Sequence, residues 1–175
     1  MNQRARILIF TGDGKGKTTA ALGMAFRASG HGLRTCVVQF IKGDASVGEI
    51  AAAAASAHVE IHTTGLGFLP PAGSGPFDEH RSAAQAGLRT ARAAVTGGQF
   101  AVVVLDEICL AVARRLIEER QVAELIAEAP PDVCLVLTGR QASPGLIALA
   151  DTVTEMRPIK HSLEAGRFAQ KGVER

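Results

Sequence analysis

The chain of 175 residues contains no Trp and no Tyr, and its 7 Phe are its only large aromatics. Much of the 47% hydrophobic fraction is Ala, so the core must be built from small side chains, which suits helices packed closely on a sheet. Charge of one sign is also lacking. A formal net charge of +2 argues against nucleic acid or a membrane surface as the main partner. No apolar run reaches the length of a membrane span. Met1-Asn2-Gln3-Arg4 passes at once into a strand-like run, so no signal peptide is expected. Cys36, Cys109 and Cys134 are few, odd in number, far apart and set in apolar runs. That spacing excludes a local metal cluster and predicts buried free thiols in a reducing cytoplasm. His31, His58, His62 and His80 show no metal spacing either. No internal repeat and no linker divides the chain, so residues 1–175 read as one domain.

Glycine is what the chain does have, and it is concentrated where chemistry is expected. Thr11-Gly12-Asp13-Gly14-Lys15-Gly16-Lys17-Thr18-Thr19 follows the apolar run Ile7–Phe10 and precedes the helix-forming run Ala20–Ala28. Strand, glycine-rich loop, Lys-Thr and helix together make a phosphate loop. Its N–H groups can close around phosphate oxygens, and the helix adds a partly positive N-terminus. Gly12, Asp13, Gly14, Lys15, Gly16, Lys17, Thr18 and Thr19 are therefore the expected nucleotide-binding residues. Lys17 serves as a point charge on the polyphosphate, and Thr18 as a hydroxyl ligand for Mg²⁺ or Mn²⁺. The usual pattern begins with Gly, and here its first position is Thr11.

Along the chain, apolar runs at 7–10, 35–41, 59–63, 100–105, 133–137 and 152–156 read as strands, separated by helical stretches. Ala21, Met24, Ala25 and Ala28 give the first helix a face to bury, and Ala84, Leu88, Ala91 and Val95 give the long helix its core stripe. Ser46 and Glu49 resemble a capping box for a short helix, and Asp78 is placed to cap the long one. Residues 64–76 are the least regular part and the best candidate for a mobile loop. Strand–helix–strand order of this length predicts an α/β fold, with a mostly parallel sheet of five to six strands and helices on both faces.

In such sheets ligands bind outside the carboxyl ends of the strands. The segments found there are the phosphate loop, Lys42-Gly43, Gly65-Leu66-Gly67-Phe68, Asp106-Glu107, Thr138-Gly139-Arg140 and Lys160-His161. Asp106, after an apolar strand, reads as the second acid of a nucleotide site or as a helix cap. Glu107 reads as a metal ligand, a general base or a solvated helix start. Lys15 meets phosphate or solvent. Arg140 stabilises charge developing on phosphate, or pairs with a surface acid. Phe68, set among glycines, reads as a residue that stacks on or covers a ligand.

These segments, with Gly30-His31-Gly32, Val38-Gln39-Phe40-Ile41-Lys42-Gly43, Ala150–His161 and Ala169-Gln170-Lys171-Gly172, resemble the P-loop-type ATP:corrinoid adenosyltransferases. The likeness is collinear over nearly the whole chain, and the Gln-Phe-Ile-Lys-Gly and Met-Arg-Pro-Ile-Lys-His segments are not general phosphate-loop features. The resemblance implies a RecA-like α/β fold working as a homodimer, with a flavoprotein as electron donor. It also implies transfer of the 5′-deoxyadenosyl group of MgATP to Co(I) of a corrinoid, with release of triphosphate. In that family ATP lies reversed in the loop, which offers a reason for Thr11. By resemblance, Lys17, Phe68 and Arg140 are catalytic. Lys42, Gly67, Phe68, Lys160 and His161 bind the corrinoid, and Thr18, Asp106 and Glu107 hold the metal. Other readings of the phosphate loop alone are a small kinase or ATPase, or a nucleotide- or corrinoid-binding protein without turnover.

Two departures from the family stand out. Some members carry Trp two residues after the Phe that matches Phe68, where this chain has Pro70. The sequence also enters its first strand almost at once, so the N-terminal helical extension that covers the corrinoid in some members is not expected here.

Overall fold

A computed structural model describes residues 4–44, 46–160, 166 and 169–173. Among these residues six strands and six helices follow one another, with α4 and α5 consecutive: β1 (Arg6–Thr11), α1 (Lys17–Ser29), β2 (Thr35–Gln39), α2 (Gly48–Ala54), β3 (Val59–Thr63), α3 (Gly75–Thr96), β4 (Val102–Asp106), α4 (Ile108–Ala113), α5 (Glu119–Glu128), β5 (Cys134–Thr138), α6 (Pro144–Leu149) and β6 (Thr152–Glu155). The strands form one sheet in the order β3-β2-β4-β5-β1-β6, and every pairing is parallel. The expected α/β architecture is therefore present, with six strands and no antiparallel member among them.

Side-chain alternation along the strands explains the two layers. Ile7, Ile9, Cys36, Val38, Val103, Leu105, Leu135 and Leu137 point to one face, where they pack with Leu88 and Val95 of α3, Ile108 of α4, Leu125 of α5 and Leu146 of α6. Their neighbours Val37, Val104 and Val136 point to the other face and meet Ala21 and Ala28 of α1. Alanine lets α1 approach the sheet closely, and four bulkier helices cover the opposite face. The stripe Ala84, Leu88, Ala91 and Val95 is buried as expected. Met24 is only half-buried.

Several local expectations are corrected. Ser46 and Glu49 form no capping box. The N-cap of α2 is Val47, which makes no side-chain cap bond, and the Ser46 hydroxyl turns instead to Asp44 Oδ1 at 2.6 Å. Helix α3 begins at Gly75, because Ser74 accepts from the Phe77 N–H and Pro76 fixes the first turn. Asp78 lies within that turn and pairs with Arg81. Cys36 and Cys109 are buried free thiols, but Cys134 is half-buried because it opens its strand at the sheet end.

Parallel register places the last residue of each strand in one row. Gln39 is level with both Thr63 and Asp106, Phe10 with Thr138, and Thr11 with Glu155. All six strands thus end in a polar residue on the same edge as the phosphate loop. Glycine is needed there for close approach. A Cβ on Gly12, which has φ +94°, would collide with the Met156 carbonyl beyond β6. The Gly14 N–H donates to that same carbonyl at 2.7 Å, so the loop is bolted to the chain that follows β6.

Candidate functional site

The row of strand ends is wired together. Asp106, fully buried, accepts at Oδ1 from the Thr18 hydroxyl at 2.8 Å and the Thr138 hydroxyl at 2.7 Å. Thr138 in turn accepts from the Glu107 N–H at 2.9 Å. That bond helps hold Glu107 in a left-handed conformation, φ 64°, which costs a non-glycine residue roughly 1–3 kcal/mol. Asp106 Oδ2 and Glu107 Oε2 are buried and have no hydrogen-bond partner. The nearest cation to the first is Lys42 Nζ, at 3.5 Å. Asp106 is thus the end of β4 and not a helix cap, since Glu107 occupies the cap position of α4.

Charges in this row perturb one another. Burial pushes the Glu107 carboxyl above its ordinary range, and the neighbouring Asp106 adds to the effect. Burial pulls the Lys17 ammonium below its ordinary value, against the opposing attraction of Glu107. Burial would lower Lys42 as well, but Asp106 and Glu49 outweigh it and hold the ammonium above its usual value.

Lys17 is 8% exposed, and its Nζ donates to the carbonyls of Gly12 at 2.8 Å and Gly14 at 2.7 Å. An ammonium held on loop carbonyls sits over the cradle where a polyphosphate would replace them. Lys15 donates to the Val173 carbonyl at 3.0 Å, so its partner is the chain near the C-terminus. Asp13 and Arg140 are exposed and face one another at 3.8 Å, which matches the surface-acid reading of Arg140. The Thr11 hydroxyl accepts from the Ala142 N–H at 3.2 Å and ties the loop's start to the segment after β5.

Two cavities open on this edge. The first, about 410 Å³, is lined by Lys15, Gly16, Lys17, Thr18, Thr19, Leu22, Lys42, Glu49 and Glu107, with Gly172 and Val173 from the chain's end. The second, about 710 Å³, is lined mainly by apolar residues, including Ile41, Gly67, Phe68, Leu69 and Phe77. Phe68 is fully exposed at its mouth. Lys42 lines both cavities. Of the expected corrinoid-side residues, the structure brings Lys42, Gly67 and Phe68 together. Lys160 is exposed beyond β6 and lines neither cavity. His161 lies outside the described residues.

Sequence reasoning missed Glu49, Gln39 and Thr63. Glu49 accepts from Lys42 Nζ at 3.1 Å and from Gln39 Nε2 at 3.5 Å, and Gln39 Oε1 accepts from the Thr63 hydroxyl at 3.0 Å. The available signal was a polar residue closing an otherwise apolar strand, as Gln39 and Thr63 do. Among the described residues, no group of three or more His, Cys, Asp or Glu side chains converges as a metal site. Thr18, Asp106 and Glu107 suit a cation that takes one or two carboxylates and draws its other ligands from phosphate and water. The open oxygens on Asp106 and Glu107 fit that donor set.

The sequence model of the family described as ATP:corrinoid adenosyltransferase BtuR/CobO/CobP matches residues 3–175. A corrinoid adenosyltransferase of Pseudomonas aeruginosa is 41% identical over 174 residues, covering 99% of this chain and 85% of the relative. A corrinoid adenosyltransferase of Escherichia coli is 37% identical over 178 residues, covering 99% and 87%. The corrinoid adenosyltransferase CobA of Salmonella typhimurium is 37% identical over 172 residues, covering 98% and 86%. Among solved structures, a KaiC-like protein of Pyrococcus horikoshii superposes with a TM-score of 0.55 at 19% identity, covering 89% of this chain and 73% of the other. That likeness speaks for the RecA-like P-loop fold alone.

Proposed function

The chain belongs to the ATP:corrinoid adenosyltransferase family, and from that premise we propose how its two cavities divide the reaction. The protein transfers the adenosyl group of ATP to the cobalt of a corrinoid in cobalamin biosynthesis. The observation that carries the division is Lys42, shared by a polar cavity over the phosphate loop and an apolar cavity beside Phe68. Triphosphate occupies the first and the corrinoid enters the second, so that C5′ and cobalt meet near Lys42.

Co(I) supplies an electron pair to C5′ as the bond from C5′ to the α-phosphate oxygen breaks. Triphosphate leaves with that bond's electrons. The nucleophile carries no proton, so no general base is required, and the protein's work is alignment and charge stabilisation. Lys17 leaves the Gly12 and Gly14 carbonyls for phosphate oxygens, and the amides of Lys15 to Thr19 complete the cradle, the Gly14 N–H staying on the Met156 carbonyl. Lys15 exchanges the Val173 carbonyl for phosphate, and Arg140 turns from Asp13 to the same charge. Thr18, Asp106 and Glu107 would hold Mg²⁺ or Mn²⁺, which when bound neutralises charge building on the leaving group. Thr11 serves the reversed nucleotide by fixing the start of the loop.

On the corrinoid side, Lys42, Gly67 and Phe68, with Lys160 and His161, are assigned to binding. Phe68 displaces the lower axial ligand so that a flavoprotein donor can reduce Co(II). The supporting observation is its position, with the ring fully exposed at the mouth of an apolar cavity. Pro70 stands where some relatives carry Trp, so Leu69 and Phe77, which line the same cavity, supply the remaining bulk. We assign the enzyme to the cytoplasm as a homodimer, the latter to be checked by light scattering on the eluting protein.

Anaerobic incubation with chemically reduced corrinoid and MgATP tests the reaction. Loss of the Co(I) spectrum with one triphosphate released per corrinoid is the expected result. Release of ADP or orthophosphate instead would point to phosphoryl transfer.

A further inference from the structure

We propose that Glu49 is a positioning residue for adenosyl transfer, holding the Lys42 ammonium at the point where the two cavities meet. The inference rests on the division of cavities above. Lys42 carries its charge on a flexible four-carbon stem, and a point charge is useful in catalysis only if its place is fixed before the reaction. Three observations fix it here. Lys42 Nζ donates to Glu49 Oε1 at 3.1 Å and stands 3.5 Å from Asp106 Oδ2. Glu49 is anchored by the backbone of α2 and braced by Gln39, which is fully buried and itself accepts from Thr63. Glu49 also lines the nucleotide cavity, with its side chain only 18% exposed.

The two carboxylates have different roles. Asp106 accepts two threonine hydroxyls and is assigned to the cation, so its hold on Lys42 weakens when that charge is taken up. Glu49 has no such second role among the described residues. It keeps the ammonium aimed between the departing triphosphate and the corrinoid through the reaction. Without Glu49, Lys42 would keep its charge but lose its place. The loss belongs in kcat, because the ammonium would still attract ligands.

The experiment measures adenosylation of chemically reduced corrinoid in wild type, Glu49→Gln, Glu49→Asp, Lys42→Met and the double variant Lys42→Met/Glu49→Gln, with thermal melting to confirm folding. Wild-type turnover establishes the reaction independently of Glu49, so failure of the general reading is visible in that sample. Glu49→Gln should lower kcat about tenfold, a shift of the size expected for a displaced catalytic group, with KM for ATP changed less than about twofold. Glu49→Asp, which keeps the charge, should recover part of the loss. The double variant should be no worse than Lys42→Met alone, since Glu49 acts only through Lys42. Multiplying losses in the double variant would overturn the proposal, as would a Glu49→Gln effect confined to KM for ATP, which would mark direct contact with the nucleotide. Unchanged kcat in a folded Glu49→Gln would overturn it as well. Should Glu49→Gln fail to fold, Glu49→Asp decides alone: wild-type kcat and an unchanged coupling to Lys42→Met would reject the assignment, and a partial loss absent in the Lys42→Met background would support it.

Discussion

Around Asp106, groups from α1, β4 and β5 hydrogen-bond one another, and the chain beyond β6 braces the phosphate loop. Around Phe68, the walls are apolar and the key ring is in solvent. The first region is organised before any ligand arrives, as electrostatic stabilisation of a leaving group requires. The second has few bonds to lose and can adapt to a large, flat substrate. One side of the reaction demands fixed charges, and the other demands shape, water exclusion and access. Lys42 lines both cavities, and in the proposed division of the reaction it is where the two requirements meet.

Substitutions can separate the regions by whether they change catalysis, stability or both. The largest effect is expected from Lys17→Ala, which removes the cradle's central charge. Adenosylation should fall by roughly a thousandfold or more, measured as triphosphate release. Full activity would show the polar cavity to be misassigned. Gly12→Ala should destabilise the fold by about 3 kcal/mol, because the new Cβ meets the Met156 carbonyl at a positive φ. Chemical denaturation reads that loss, and a wild-type midpoint would mean that the loop is not braced by the segment after β6.

Phe68→Ala tests the other region. An exposed ring contributes little to folding, so stability should stay within about 0.5 kcal/mol of wild type. Activity starting from Co(II) with a reductant should drop about tenfold, and activity from pre-reduced Co(I) much less. Equal losses from both starting states would remove the ligand-displacing role.

The smallest effect concerns Glu107 in the ligand-free protein. Its folded pKa is raised by burial and by Asp106, so the neutral form is favoured on folding. Its contribution to stability is complete below the ordinary carboxylate pKa of 4.5 and is lost as pH rises through the folded value. Glu107→Gln should therefore raise the melting temperature by a few degrees at pH 8, with the gain vanishing near pH 4. Calorimetry at the two pH values measures it. An equal gain at both would assign the effect to packing.

The phosphate loop was legible because its chemistry is local. Glycines, Lys17 and Thr18 are adjacent in sequence, and the helix that completes the site begins within the motif. Asp106 was legible because an apolar strand ending in an acid has few other meanings. Glu49 was misread as a capping residue, since its partners Lys42 and Gln39 precede it by a turn that sequence spacing does not reveal. Arg140 was read as a partner of phosphate or of a surface acid, and sequence could not choose between them; in the ligand-free chain it faces Asp13, because a long exposed side chain follows the nearest charge.

The sequence by itself determined the α/β alternation, the nucleotide loop and the set of residues gathered at the strand ends. Periodicity and short motifs are properties of neighbouring residues, and parallel pairing brings every strand end to one edge. Only the tertiary structure decided which of those residues touch. The order β3-β2-β4-β5-β1-β6 sets Gln39 between Thr63 and Asp106, and it puts Thr138 against Asp106 across 32 residues of chain. Hydrogen bonds reach about 3 Å, so their partners are fixed by sheet order and register rather than by distance along the sequence.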